Sequence, residues 1–341
     1  MKNRYRNVCM LFVIFLFMTG CAQSSHFVSE VIPDGEIEEE KEDYIVVGYS
    51  QVGSESDYRI ANTKSVRDTF TQKNGYYLLF EDAQQKQENQ LKTIRNFILQ
   101  EVDYIVLDPV VETGWEAVLQ EAKDAGIPVI LSDRSVEVED ENLYTAWVGS
   151  DFEEEGVCAG KWLENYLAST GRTQEEIQIV TLQGTLGSTS QIGRTKGFQN
   201  VLEKNPNWKM LDRKSGDFTQ AKGKEVMEEF LEKYPEIDVV VSENDNMTFG
   251  AIEAIKEAGK TCGPEGDIIL ISFDSVQAAL QAMKKGDINV DVECNPLLAP
   301  KIAEIIDKLE AGEEVEKIHY VEESYYDTFM DLDSVIRKRS Y

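Results

Sequence analysis

The chain has 341 residues and a formal net charge of −29. That length exceeds what one small core organises and suits two lobes. The surplus of acid argues against a nucleic-acid-binding surface, which needs clustered cations to meet phosphates. It is compatible with a soluble, secreted protein for small molecules, and it says nothing of fold.

Lys2, Arg4 and Arg6 give a basic start, and residues 8–18 form an apolar run of signal-peptide length, too short to span a bilayer comfortably. Met18-Thr19-Gly20-Cys21 follows. Small residues before a cysteine, directly after such a run, resemble a bacterial lipobox, with Met18 where Leu is usual. The resemblance implies a signal peptide over 1–20, cleavage before Cys21 and lipidation of its thiol. An ordinary secretory signal cut near Ala22, or an uncleaved anchor, is the alternative. Residues 21–43 are polar and acidic, with Glu36, Glu38, Glu39, Glu40, Glu42 and Asp43 close together, and read as a tether extended by self-repulsion. Of the remaining cysteines, Cys9 lies in the signal segment, while Cys158, Cys262 and Cys294 are far apart. With no C-x-x-C and no Cys/His cluster, neither a zinc site nor a disulfide framework is expected; buried structural thiols are the default.

From residue 44 the pattern alternates regularly. Residues 44–49 read as an apolar strand, 56–73 as a helix and 76–80 as a strand. Residues 87–100 read as a helix with Leu91, Ile94, Phe97 and Ile98 on one face. Strands over 104–107 and 129–131 flank a helix over 114–125, with Gly75, Gly126 and Pro128 as breaks. The pattern then repeats. Helices are expected over 152–167, 189–202, 220–233, 247–258, 276–284 and 298–311. Strands are expected over 177–182, 239–242, 268–271 and 290–292, with a weak one over 210–213. Continuous apolar strands alternating with helices mean βαβ units and parallel sheets with right-handed crossovers. Two similar α/β halves suggest two lobes facing a cleft.

The run Val129-Ile130-Leu131-Ser132 leads straight into Asp133-Arg134. The end of a buried strand opens into the crevice where α/β sheets bind ligands. A carboxylate there accepts two hydroxyl protons, and the adjacent guanidinium donates in a fixed fork, a pairing that suits a sugar diol. Taken alone, the same residues read more readily as a cap and a solvated cation.

Several stretches together carry a resemblance over the chain from about residue 44 onward: Val47-Gly48-Tyr49-Ser50-Gln51-Val52-Gly53-Ser54-Glu55-Ser56, Gln84-Gln85-Lys86-Gln87-Glu88-Asn89-Gln90, Pro109-Val110-Val111-Glu112-Thr113-Gly114-Trp115, Ser215-Gly216-Asp217-Phe218 and Glu243-Asn244-Asp245-Asn246-Met247. They resemble the type I periplasmic sugar-binding proteins of ABC importers, most nearly the galactofuranose-binding subgroup. The resemblance implies an α/β fold of two Rossmann-like lobes with parallel sheets joined by a hinge. It puts one lobe at 44–148 plus about 295–322, and the other at 149–294 plus about 323–341. It implies ligand-binding roles for Glu55, Tyr58 and Arg59 after the first strand, for Asp133 and Arg134, and for Arg194, Phe218, Asn244, Asp274 and Glu293. Tyr58 and Phe218 would be aromatic walls. Asn244 and Asp274 each read alternatively as an N-cap, with Asp245 capping beside Asn244; Thr113 and Trp115 are expected just behind the site. Asp57-Tyr58, Cys294-Asn295 and Asp108 depart from the subgroup pattern, which bears on which sugar fits.

The function implied is reversible, non-covalent capture of a monosaccharide at the extracytoplasmic face of the membrane. A lipid-anchored monomer would deliver it to an ABC permease, or as the alternative to a receptor kinase. Affinity of about −8 kcal/mol, roughly micromolar, suffices. No cofactor and no metal is expected, since no D-x-[DN]-x-[DN]-G spacing occurs. Catalysis is not expected either: His319 stands alone in the folded part, with no nucleophile elbow. A transcription regulator of this fold would need a basic helix-turn-helix where the apolar N-terminus stands.

Overall fold

The structure is a computed structural model that describes residues 44–341. The expected signal peptide, lipidation site and acidic tether lie outside the described residues. Strands β1 (Ile45–Gln51), β2 (Tyr76–Asp82), β3 (Tyr104–Leu107), β4 (Val129–Ser132) and β5 (Ala146–Gly149) alternate with helices α1 (Asp57–Thr69), α2 (Gln87–Leu99) and α3 (Glu116–Asp124). The second half begins with α4 (Phe152–Ser169). Strands β6 (Ile177–Gln183), β7 (Trp208–Ser215), β8 (Val239–Ser242), β9 (Ile269–Asp274) and β10 (Val290–Glu293) then alternate with α5 (Thr189–Leu202), α6 (Gln220–Lys233), α7 (Asp245–Glu257) and α8 (Gln277–Lys285). Helix α9 (Ala299–Glu310) and β11 (Ile318–Tyr320) precede β12 (Tyr325–Asp327) and α10 (Leu332–Lys338).

Two six-stranded sheets result, ordered β2-β1-β3-β4-β5-β11 and β7-β6-β8-β9-β10-β12. Every pairing is parallel except β12, which runs antiparallel to β10. β3, β4, β5, β8 and β10 are buried along their whole length, as expected of strands covered by helices on both faces. Helix α9 returns to the first sheet, where Ile302, Ile305 and Ile306 pack with Val47, Tyr104, Ile130 and Val148. The chain therefore passes between the sheets three times, after β5, after β10 and after β11.

The α/β class and the alternation agree with the sequence pattern; the differences lie at sheet edges. The first helix stops at Thr69, four residues short of expectation, because the chain turns through a left-handed Gly75 with φ of 86° into β2. β7 is longer than the weak strand expected, since an edge strand carries charged residues on its open side. β5, β11, β12 and α10 have no counterpart in the sequence reading. Among the described residues no helix is long and apolar enough to cross a membrane.

Candidate ligand-binding site

The first sheet offers the loop after β1 and the end of β4. Ser56 caps α1 by accepting from the Arg59 N–H at 3.2 Å, so Tyr58 and Arg59 ride on the helix's first turn. Both reach Asp133: the Tyr58 hydroxyl donates to Oδ1 at 2.9 Å and Arg59 Nη2 donates to Oδ2 at 2.8 Å. Asp133 has a φ of 60°, a left-handed conformation few non-glycine residues adopt, which turns its carboxylate toward them. Arg59 also pairs with Asp108, and its Nε lies 3.5 Å from Glu55. Arg134 donates to the Val110 carbonyl at 3.0 Å, and its guanidinium stands 5.3 Å from the centre of the Phe218 ring.

The second sheet supplies the opposite wall. Arg194, on α5, donates to Glu155 at 2.6 Å and to Asp274 at 3.3 Å, and also donates to the Glu243 carbonyl. This depends on α4 and α5 crossing closely: a Cβ on Gly156 would sit 2.3 Å from the Arg194 carbonyl oxygen. Asn244 uses both ends of its amide, accepting from the Met247 N–H at 2.9 Å as the cap of α7 and donating to the Phe218 carbonyl at 3.2 Å. The cap is thus Asn244 itself and not Asp245, whose carboxylate is taken by Ser272 and the Val276 N–H.

The walls meet. Glu112 N donates to the Gly187 carbonyl at 2.9 Å, Ser135 N to Thr189 Oγ1 at 2.8 Å and Asp57 N to Asn246 Oδ1 at 2.9 Å. Between them lies a cavity with about 280 Å³ of free volume, part of it open to solvent. Glu55, Tyr58, Arg59, Asp133, Arg134, Arg194, Phe218, Asn244 and Asp274 all line it. Glu293 does not. Its carboxylate accepts from Tyr326 at 3.0 Å and Tyr341 at 2.7 Å and pairs with Arg339, on the far side of the strand. Its neighbour Cys294 takes the cavity position, because successive strand residues face opposite ways.

Ser56, Phe152 and Ser190 also line the cavity and were not singled out from sequence. Phe152 follows the end of β5, and reading that strand would have exposed it. Cys294 packs with Tyr58 and Phe152, so it is a wall and not only a structural thiol. Cys158, Cys262 and Cys294 are all free. Trp115 is fully buried with its Nε1 donating to the Val111 carbonyl, and neither it nor Thr113 reaches the cavity. His319 sits in β11 beside the Glu316 carbonyl, away from the cleft.

Three arginines thus face five carboxyl groups, Glu55, Asp108, Asp133, Glu155 and Asp274, and all eight side chains are at most 5% exposed. Burial opposes the charge on Arg59 and Arg194, but the carboxylates around them outweigh it and hold both guanidinia firmly protonated. Burial raises Asp108, Asp274 and Glu155 well above the usual carboxylate range, only partly offset by those arginines. Five carboxyl groups interleaved with three guanidinia give paired acceptors and donors, an arrangement suited to the hydroxyls of a neutral ligand. Glu55 Oε2, Arg59 Nε and Arg134 Nε are buried without a hydrogen-bond partner, leaving an acceptor and donors for ligand hydroxyls.

Such a cleft between two parallel sheets has known relatives. The sequence profile of the periplasmic binding protein domain matches residues 47–314. The chain belongs to the periplasmic binding protein domain family. That family comprises binding proteins for transport and not enzymes. Within it, the galactofuranose-binding protein YtfQ of Escherichia coli strain K12 is 45% identical over 267 residues, spanning 77% of this chain and 81% of that protein. A Mycobacterium smegmatis structure in complex with β-D-fucofuranose has a TM-score of 0.83 at 43% identity, covering 87% of this chain and 95% of that one. The binding protein of the arabinose ABC transporter from Shewanella sp. ANA-3, bound to α- and β-L-arabinofuranose, has a TM-score of 0.80 at 42% identity, covering 86% and 95%.

Proposed function

We propose that this periplasmic binding protein captures one neutral monosaccharide, in its furanose ring form, between its lobes and delivers it to an ABC permease. The observation that carries the reading is the cage itself: Asp133, held by Tyr58 and Arg59 on one wall, and Arg194 with Asp274 on the other line one cavity between the two sheets. Carboxylates accept from sugar hydroxyls and guanidinia donate to them. The sugars held by the two furanose complexes, and the one named for the Escherichia coli protein, support the ring form and the ligand class. Glu55, Tyr58, Arg59, Asp133, Arg134, Arg194, Phe218, Asn244 and Asp274 are the proposed ligand contacts. Glu293 is proposed instead as a hinge support.

The proposed lobes, 44–148 with about 295–322 and 149–294 with about 323–341, follow the two sheets, since β11 joins the first and β12 the second. The proposed setting is a monomer on the extracytoplasmic face of the membrane, anchored through Cys21. Presentation to a receptor kinase is the less favoured route, because the similar proteins include components named for ABC transport and ribose import.

Calorimetric titration of the full chain, solubilised in mild detergent, with L-arabinose, D-galactose and D-galacturonate tests the ligand class. One or both neutral sugars are expected to bind, and the anion about 100-fold more weakly or not at all. Preference for the uronate would contradict the reading.

A further inference from the structure

The three crossings between the sheets meet at one carboxyl group. Ser150 follows β5 on the first crossing, Asn295 follows β10 on the second, and Glu323 lies on the third, between β11 and β12. Glu323 Oε1 accepts from the Ser150 hydroxyl at 2.5 Å and from the Asn295 N–H at 2.7 Å. One oxygen therefore takes a donor from each of the other two crossings. Ser150 gives its single proton to Glu323, so in its 3.4 Å contact with Cys294 Sγ the thiol is the donor. Backbone bonds fasten the third crossing to its neighbours pairwise: the Val321 N–H to the Gly149 carbonyl at 3.0 Å, and the Glu293 N–H to the Ser324 carbonyl at 2.8 Å. The Glu323 side chain joins all three.

This junction lies behind the cavity wall. Glu323 is partly buried and does not line the cavity, whereas Cys294, beside Asn295, does. Cys294 packs against Tyr58 of the first half and Phe152 of the second. Phe152 is two residues from Ser150, whose carbonyl accepts from its N–H at 3.1 Å. Glu155, which holds Arg194, brings one carboxylate oxygen within 4.8 Å of the Cys294 thiol and of a Glu323 oxygen. Two groups of the cavity wall, Cys294 and Phe152, thus sit beside residues that Glu323 ties, and the partner of a third, Arg194, lies against them.

We propose that Glu323 is a positioning residue: its side chain clasps the three crossings together and so holds Cys294, Phe152 and, through α4, Arg194 in place for the ligand. Without the clasp the Ser150 hydroxyl and the Asn295 amide lose their acceptor, and the crossings are free to shift against one another. The ligand then has to order this part of the wall as it binds. Affinity falls by that cost while the ligand's own contacts stay the same. The inference rests on the proposed sugar capture and concerns a residue that does not touch the sugar.

The test titrates the detergent-solubilised full chain with L-arabinose and D-galactose. Glu323→Ala is expected to weaken binding about tenfold, the scale of one or two lost hydrogen bonds. In Glu323→Gln the amide oxygen still accepts from Ser150 and Asn295, and affinity should stay within about threefold of wild type. Ser150→Ala removes one of the two donors and should weaken binding about threefold. Added to Glu323→Ala it should cost nothing further, because the bond it breaks is already gone. Wild-type affinity in Glu323→Ala, a glutamine variant as weak as the alanine one, or additive losses in the double variant would overturn the proposal. Should Glu323→Ala fail to fold, unchanged affinity in Ser150→Ala would overturn it as well. Amide hydrogen exchange of the unliganded protein reads the clasp without any sugar. The Asn295 N–H should exchange about tenfold faster in Glu323→Ala than in wild type or Glu323→Gln, and equal exchange in all three would contradict the clasp. Silence of both sugars from a folded wild type would instead overturn the sugar reading, with the exchange comparison still deciding the role of Glu323.

Discussion

Asp133 is the residue on which most of the site converges. It accepts from Tyr58 and Arg59 at once, with all three side chains almost wholly buried. Asp133→Ala leaves a hydroxyl and a guanidinium without their acceptor, a change that costs about 3 kcal/mol, or more than 100-fold in Kd, when a buried charge partner is removed. Calorimetry of wild type and variant side by side checks this; affinity within threefold of wild type would contradict it. Asp133 and Arg134 were legible from sequence because they end a run of strand-forming residues, where α/β sheets present side chains to a crevice. Cys294 was not legible, and Glu293 was expected in its place. Which of two neighbours faces the cleft turns on a single residue of parity in a four-residue strand. Phe152 escaped for a related reason, since it is placed by β5, which has too few residues for a pattern of its own.

Elements position these residues through close packing. β6 ends at Gln183, and a Cβ on the following Gly184 would lie 1.8 Å from Phe218 Cζ. Gly184→Ala therefore pushes the Phe218 ring out of place. Overpacking of this kind costs about 1–3 kcal/mol, and both melting temperature and sugar affinity should fall together. The C-terminal helix α10 brings the chain back to the end of β10. Beyond it, Arg339 and Tyr341 close on Glu293 at the end of β10. Burial opposes the Glu293 charge, but Arg339 and Tyr341 outweigh it and hold the carboxyl below its ordinary 4.5. A depressed carboxyl contributes stability above its unfolded value and loses it as pH falls. Arg339→Ala should therefore lower the melting temperature at neutral pH, and the gap to wild type should narrow below about pH 4.5. A gap that stays constant down to low pH would assign Arg339 to packing alone. The parallel strands were legible because burial on both faces writes continuous apolar runs. β11 and β12 were not, since each has three residues and owes its pairing to the neighbouring strand it meets.

The whole molecule is two sheets joined by three crossings and closed over the cavity. Domain closure around a ligand, for which periplasmic binding proteins are a standard illustration, needs contacts made only in the closed form. Contacts that join the two walls in this structure include Glu112 with Gly187, Ser135 with Thr189, Asp57 with Asn246 and Gln85 with the Asp217 carbonyl. Thr189→Ala removes one partner without touching the cavity. Its cost of about 1 kcal/mol should appear as roughly fivefold faster release with little change in association. Stopped-flow measurement of both rates checks this, and slower association with unchanged release would contradict it. The two-lobed plan was legible from the repeated α/β pattern, whereas the pairing of loops across the cleft depends on closure and leaves no local trace. The central claim, that the caged carboxylates and arginines hold a neutral sugar, is tested most directly by titrating wild type and Asp133→Ala with L-arabinose and D-galactose in one calorimeter series. The account predicts saturable, one-to-one heat from wild type for at least one sugar and none from the variant. Equal heats from both proteins, or none from folded wild type with either sugar, would contradict it.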